Sequence, residues 1–212
     1  LDDTNIFQRD RFAGRDRVEG GTRANIGLTH QGQWTSWLTS NFLVGQSFHL
    51  AGTNSFSEQG LASVYSQNGL QTDQSDIVSR LGLTFIDRYE IAARGRFNNE
   101  VSDLNRADLS TSYKGDLVDL TFGYTFIREQ PLDELDQSSQ IFGGFVLRAY
   151  DYWTFFGDAR YDFDDNRFVN NRIGVGFDDK QVRVSLAYFQ DFDFDGSQDG
   201  EGIELRVNFR TL

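Results

Sequence analysis

Apolar and polar residues alternate along most of this chain. From 203 to 210, Ile203, Leu205, Val207 and Phe209 fall on one side of an extended backbone, and Glu204, Arg206, Asn208 and Arg210 on the other. A helix would mix the two sets, because its side chains return every 3.6 residues and not every two. The same split sets Val182, Val184, Leu186 and Tyr188 against Arg183, Ser185 and Ala187, and Ile173, Val175 and Phe177 against Arg172, Gly174, Gly176 and Asp178. Trp153, Phe155, Gly157, Ala159, Tyr161 and Phe163 oppose Asp158, Arg160 and Asp162. Val118, Leu120, Phe122, Tyr124 and Phe126 oppose Asp119, Thr121, Gly123 and Thr125. Less regular alternation predicts further strands at 138–149, 104–114, 89–99, 76–86, 37–50 and 21–31. The total is about eleven strands, many of roughly ten residues, the length a tilted strand needs to cross a bilayer.

The connections carry a second pattern. A long polar stretch covers 51–74, a short break falls at Asp87-Arg88, a longer one at 98–103, a tight one at Lys114-Gly115-Asp116 and a long one at 128–137. Then come a tight reversal near Tyr150-Asp151, the turn Asp164-Asp165-Asn166, the tight Asp178-Asp179-Lys180 and a long acidic stretch at 191–200. Apart from the 164–166 turn, long and short connections alternate, as the outer loops and periplasmic turns of an up-and-down outer-membrane barrel do. The expected fold class is therefore all-β, an antiparallel transmembrane β-barrel in the cell outer membrane. The last strand follows a long outer loop, which puts Leu212 on the periplasmic side. Counting back, the first strand runs inward, residues 1–20 form an extracellular rim segment, and 21–212 belong to the barrel. Single-chain bacterial barrels have even strand numbers. About eleven strands thus read as the C-terminal portion of a larger barrel whose N-terminal edge lacks its neighbour.

Composition narrows the function. Lys plus Arg is 20 against 32 for Asp plus Glu, a formal charge of −12, which argues against a nucleic-acid partner because counterion release needs a basic surface. The absence of Cys removes disulfides, thiolate metal sites and a cysteine nucleophile, and with 2 His neither a histidine-rich metal site nor a cofactor is expected. Phe 20, Tyr 8, Trp 3 and Gly 21 on a chain of mean hydropathy −0.50 do not describe a helical bundle. No run of about 18 apolar residues marks a transmembrane helix, a test to which barrel strands are blind. No basic stretch leads into an apolar run at the start, so a mature form or a piece of a longer chain is expected. A soluble β-sandwich or closed soluble barrel also alternates. Small residues among the charges of the polar faces suit a wet lumen, however, and Trp and Tyr near the strand ends suit interface girdles.

Chemistry-bearing motifs are few. Asp191, Asp193 and Asp195, with Gly196 and then Asp199, resemble the start of a calcium loop, but its twelfth position is Gly202 and not the required Glu. An acidic, solvated outer loop is the plainer reading, with loose divalent-ion binding beside it. Asp158 and Asp162 have the residue types of a glycosidase pair, yet acids facing a water-filled lumen need no catalytic explanation. His30 and His49 have no ligand-like spacing, and no Gly-x-Ser-x-Gly elbow occurs. Catalysis is not expected. Arg9, Arg11, Arg15, Arg17 and Arg23 are interleaved with Asp10, Asp16 and Glu19. They suit either a clamp on anionic head groups or, with acids so near, an ion-pair network pinning the rim segment to the wall.

Asn5-Ile6-Phe7, then Arg9-Asp10-Arg11-Phe12, Gly14, Asp16-Arg17 and Glu19-Gly20-Gly21, running into Arg23-Ala24-Asn25 and Gly27, resembles a segment of the LPS-assembly protein LptD family. Ile173-Gly174-Val175-Gly176-Phe177, Arg183-Val184-Ser185-Leu186-Ala187-Tyr188 and the ending Gly202-Ile203-Glu204-Leu205-Arg206 are similar to that family's last strands. The resemblance implies a barrel that inserts lipopolysaccharide into the outer leaflet, letting the lipid leave sideways between the first and last strands. Ile203, Glu204, Leu205, Arg206, Val207, Asn208 and Phe209 would then form one lip of that gate. It also implies a plug lipoprotein like LptE, a periplasmic bridge like LptA, membrane lipid, and the barrel-assembly machinery during folding as partners. Many family members carry adjacent cysteines in the last short turn, tied to a periplasmic domain. Lys180 and Gln181 stand there in this chain, so that link is not expected. The competing reading is a passive porin or substrate channel, which shares the alternation and does not account for the 5–27 motif.

Overall fold

The computed structural model describes residues 1–8, 11, 20–56, 69–128, 137–179, 181–192 and 198–209. Eleven strands follow one another: β1 (Thr22–Thr35), β2 (Leu38–Ala51), β3 (Ile77–Phe85), β4 (Tyr89–Phe97), β5 (Leu104–Lys114), β6 (Val118–Ile127), β7 (Ser138–Ala149), β8 (Trp153–Asp162), β9 (Arg167–Asp178), β10 (Val182–Phe192) and β11 (Gln198–Phe209). They form one sheet in sequence order from β1 to β11, each strand beside the next. This is the strand order of an up-and-down barrel, so the all-β, antiparallel expectation stands. The chain divides into two compact units, one of Leu1–Phe85, Ala92–Leu109 and Phe126–Gln137, the other of Ile86–Ile91, Ser110–Thr125 and Ser138–Leu212.

In the second unit, strand register turns sequence alternation into continuous surface rows. Leu147 pairs with Phe155, Phe155 with Val175, Val175 with Leu186 and Leu186 with Leu205. A parallel row runs through Ala149, Trp153, Phe177, Val184 and Val207, and another through Phe145, Gly157, Ile173, Tyr188 and Ile203. Cross-strand neighbours on one face sit about 4.5–5.5 Å apart at Cβ, so these rows make an apolar surface. The described residues leave it uncovered: Ile203 is 74% exposed and Leu205 64%. The opposite face carries the rows Arg148, Thr154, Gly176, Ser185, Arg206 and Gly144, Asp158, Arg172, Phe189, Gly202. Gly174 lets Phe156 lie flat on this face, since a Cβ there would come within 2.4 Å of the Phe156 ring.

Aromatics gather toward strand ends. Trp34 donates its indole N–H to Ser40 at 2.8 Å and Trp37 stacks on Phe85 with centroids 6.4 Å apart. Tyr152 and Trp153 both pack on Phe177, and at the far end of β8 Tyr161 packs on Phe163 and Phe168. The exposed Arg88 guanidinium is held above its ordinary pKa by Asp116, 3.3 Å away in the next short turn.

Two connections are shorter than the sequence predicts. β1 continues to Thr35, because Gln31, Gly32 and Gln33, which do not alternate, still pair with Asn41, Ser40 and Thr39. The connection expected at 191–200 is shorter, since β10 reaches Phe192 and β11 begins at Gln198, with Asp191 opposite Gly200. Turn-favouring Asp and Gly mark where a chain can reverse, not where pairing stops.

The turn after β3 places Ile86 at φ 53° and Asp87 at φ 53°, in the left-handed region. A β-branched side chain is strained there by about 1–2 kcal/mol, whereas Asn tolerates it. Ile86 is exposed and loses little packing if replaced. Ile86→Asn is expected to stabilise the protein by about 1 kcal/mol, seen as a higher denaturant midpoint with an unchanged slope.

Candidate functional site

In the first unit the polar face of the sheet is covered by the chain's own first residues. Asp2 begins a tight local turn: its carboxylate accepts from the Thr4 hydroxyl at 2.6 Å and from the amides of Thr4 at 2.8 Å and Asn5 at 3.1 Å. Burial alone would raise the Asp2 pKa, but these bonds outweigh it and hold the carboxyl below its ordinary value. The turn aims Ile6 into the sheet, where it is fully buried with Leu1, Phe56, Leu70 and Val78, against Leu43. Room for this comes from Gly27 of β1 facing Gly45 of β2. A Cβ on Gly27 would meet the Phe7 ring at 2.5 Å and the Val44 carbonyl oxygen at 2.8 Å.

Charges fasten the same segment. Arg80 of β3 reaches Asp3 at 3.4 Å and Arg94 of β4 reaches it at 3.3 Å, with the Asp3 side chain only 3% exposed. Arg96 meets Asp76 at 3.3 Å, and Asn105 donates to Asp76 at 2.9 Å. Arg11 donates to Asn25 and to Ser47, each at 3.1 Å, and Ser47 donates to Asn25 at 2.8 Å. Arg23 donates to Asn54 at 2.6 Å and lies over the Phe56 ring. The described parts of 5–27, which the sequence presents as one motif, are therefore joined in space: Phe7 meets Gly27 and Arg11 meets Asn25.

The polar face of the second unit is a charged wall without a covering segment among the described residues. A cavity of about 410 Å³ opens on it, lined by Asp119, Phe142, Phe156, Asp158, Arg160 and Arg172 among others. Arg172 donates twice to Asp158, at 2.7 and 3.0 Å, and lies over Phe156. Arg160 lies over Phe142 and donates to Gln140 at 3.2 Å. Arg148 pairs with Asp119. Asp162 is nearly buried and accepts from Gln140 at 2.8 Å, Ser138 at 3.0 Å and the amides of Asp164 and Asp165. Both carboxylates with the residue types of a glycosidase pair, Asp158 and Asp162, are thus held in structural bonds.

Among the other candidates, Ile203, Leu205, Val207 and Phe209 stand on the exposed apolar face of β11, and Glu204, Arg206 and Asn208 on its polar face. Arg206 donates to Glu204 at 2.7 Å within the same strand. Asp191 and Asp199 stand in β10 and β11, not in a loop. Arg9, Asp10, Phe12, Gly14, Asp16, Arg17, Asp193, Asp195 and Lys180 lie outside the described residues. His30 packs on Trp34 and His49 meets the Gly52 carbonyl at 3.0 Å. Sequence reading missed Asp3 and its arginines and the Gly27–Gly45 pair. Facing glycines at alternate positions of neighbouring strands were the available signal.

Comparison with known proteins bears on what this wall serves. Residues 1–138 match the profile of the LptD family, described as LPS transport system D. The chain belongs to that family. LptD relatives agree over most of its length: an LPS-assembly protein LptD of Saccharophagus degradans is 25% identical over 194 residues, 85% of this chain, and one of Pseudoalteromonas translucida is 23% identical over 183 residues, 82% of it. The chain spans only 22% of the length of each. Within the LptD match lie the docked segment, the Gly27–Gly45 trough and the strands that receive them.

Burial of Ile6 is the main apolar anchor of the segment. Ile6→Ala is expected to weaken docking by about 2–4 kcal/mol. Hydrogen exchange reads this directly: the amides of Ile6 and Gln8, bonded to the carbonyls of Asp2 and Asn5, should exchange faster while those of β9–β11 stay unchanged.

Proposed function

We propose that this chain is the C-terminal part of the membrane barrel of an LPS-assembly protein, working in delivery of lipopolysaccharide to the outer leaflet of the outer membrane. The observation that carries the reading is the family match over residues 1–138, which take in the docked first residues and the strands that receive them. An uncovered apolar surface of registered rows stands behind it, backed by a face of charge and small residues. Hydrocarbon accepts no unpaired backbone group, so a sheet whose strands pair throughout, apolar on one face and wet on the other, suits a membrane wall. In this reading the 163–166 connection and the ends of β10 and β11 at Phe192 and Gln198 face outward, the docked segment enters from the extracellular side, and the short turns face the periplasm. Catalysis is no part of it.

β11 serves as one lip of a lateral exit. Its polar-face charges support this: Glu204 and Arg206 bond to each other along the strand and stand opposite Ala187 and Ser185, so neither is committed to an ion pair with its ladder partner on β10. The lipid's sugar and phosphate groups would pass along the charged wall and its acyl chains along the apolar rows. A plug lipoprotein, a periplasmic bridge and the barrel-assembly machinery are the partners this role calls for.

Two measurements test the reading. Val184→Arg and Leu205→Arg should each cost about 2–4 kcal/mol of folding stability in lipid, the penalty for a cation near mid-membrane. Unchanged stability would mean that these faces do not meet lipid. In the full-length protein, a disulfide locking strand 198–209 to the barrel's first strand should stop lipopolysaccharide reaching the cell surface while the barrel stays folded. Export at the normal rate with the seam locked would leave a passive channel as the better reading.

A further inference from the structure

The apolar rows of the second unit do not have the same height on every strand. On β8 the apolar face runs without a break from Trp153 through Phe155, Gly157 and Ala159 to Tyr161, and on β7 from Ala149 to Ile141. At about 3.4 Å per residue each is about 27 Å along the strand. On β10 the unbroken run stops at Tyr188 and on β11 at Ile203, giving about 20 Å from Val182 and from Phe209; on β9 it stops at Ile173, about 14 Å from Phe177, and the rings of Phe192 and Phe168 stand on the same face beyond the break. The runs break together because one ladder row turns polar. Ala159 pairs with Asn171, Asn171 with Gln190 and Gln190 with Glu201. All three polar residues have the parity of the exposed apolar residues just below them. They are also bonded: Asn171 donates to Gln190 at 3.2 Å, and the Tyr188 hydroxyl donates to Glu201 at 2.9 Å.

We propose that Asn171, Gln190 and Glu201, with the Tyr188 hydroxyl, form a polar notch on the outer face of the last three strands, which draws the lipid head-group layer down and thins the bilayer against β11. The inference rests on the membrane reading given above. An outward apolar band of about 25 Å is usual for such barrels. A band shorter than the surrounding hydrocarbon is matched by local thinning, and a carboxylate with two carboxamides meets water and head groups, not acyl chains. Strand tilt shortens every strand's band alike and so does not produce the difference between β8 and β10. The shortfall lies beside the strand assigned to the lipid exit, where an amphiphile leaving the wall would have the least hydrocarbon to cross.

Residues 1–212 hold no cysteine, so one introduced cysteine gives one nitroxide label within them, and the unsubstituted full-length protein supplies the labelling background. In nanodiscs of dioleoylphosphatidylcholine, labels at 155, 159 and 205 should be accessible to oxygen. Labels at 190 and 201 should be several-fold more accessible to an aqueous nickel chelate than the label at 159, their neighbour along the same ladder. Equal oxygen accessibility at 159, 190 and 201 overturns the notch and leaves the membrane reading standing. Aqueous accessibility at 155 and 205 as well overturns the membrane reading itself. In N171L/Q190L/E201L, a label at 203 should move several-fold toward oxygen; no movement overturns the assignment of the thinning to these side chains.

Discussion

An extended backbone must give its hydrogen bonds to a neighbour on each side, and the rest of this structure depends on that need. With the strands paired in sequence order, the backbone is spent on cohesion and the side chains are left to meet two different surroundings. Period two then makes every residue a choice of face. Register carries each choice across the sheet, so that Phe155, Val175, Leu186 and Leu205 act as one surface although each belongs to a different strand.

The polar face works by a different rule. It carries arginines and acids in numbers that would repel or swell if left apart, and the structure pairs them across neighbouring strands: Arg172 with Asp158 and Arg148 with Asp119. Such pairs, partly exposed, contribute little stability each. Their larger effect is to keep the face wet and electrically even. Aromatic rings fill the spaces between them where a glycine allows it, as Phe156 does over Gly174.

Strand positions were legible in the sequence because alternation needs no tertiary knowledge. Trp153 to Asp162 and Val182 to Tyr188 could be read directly. What escaped were features that depend on two distant stretches meeting. Asp3 looks like any terminal acid until Arg80 and Arg94 are brought to it, and Gly27 like any strand glycine until Gly45 faces it and Phe7 needs the space. The family resemblance marked residues 5–27 as a unit, but only the fold shows that Arg11 with Asn25, and Phe7 with Gly27, make it one. Asp191 and Asp199 were misplaced into a loop for the opposite reason. Local composition spoke for a turn, and pairing across the hairpin prevailed.

The covering of the first unit's wall has a consequence for the order of assembly. The surface that receives Ile6 and Phe7 does not exist until β1 has paired with β2 and β2 with β3, because Gly27, Gly45 and Val78 come from three strands. Residues earliest in this chain therefore find their seat only after these three strands have paired, closing over a stretch of wall that was open to water while it formed.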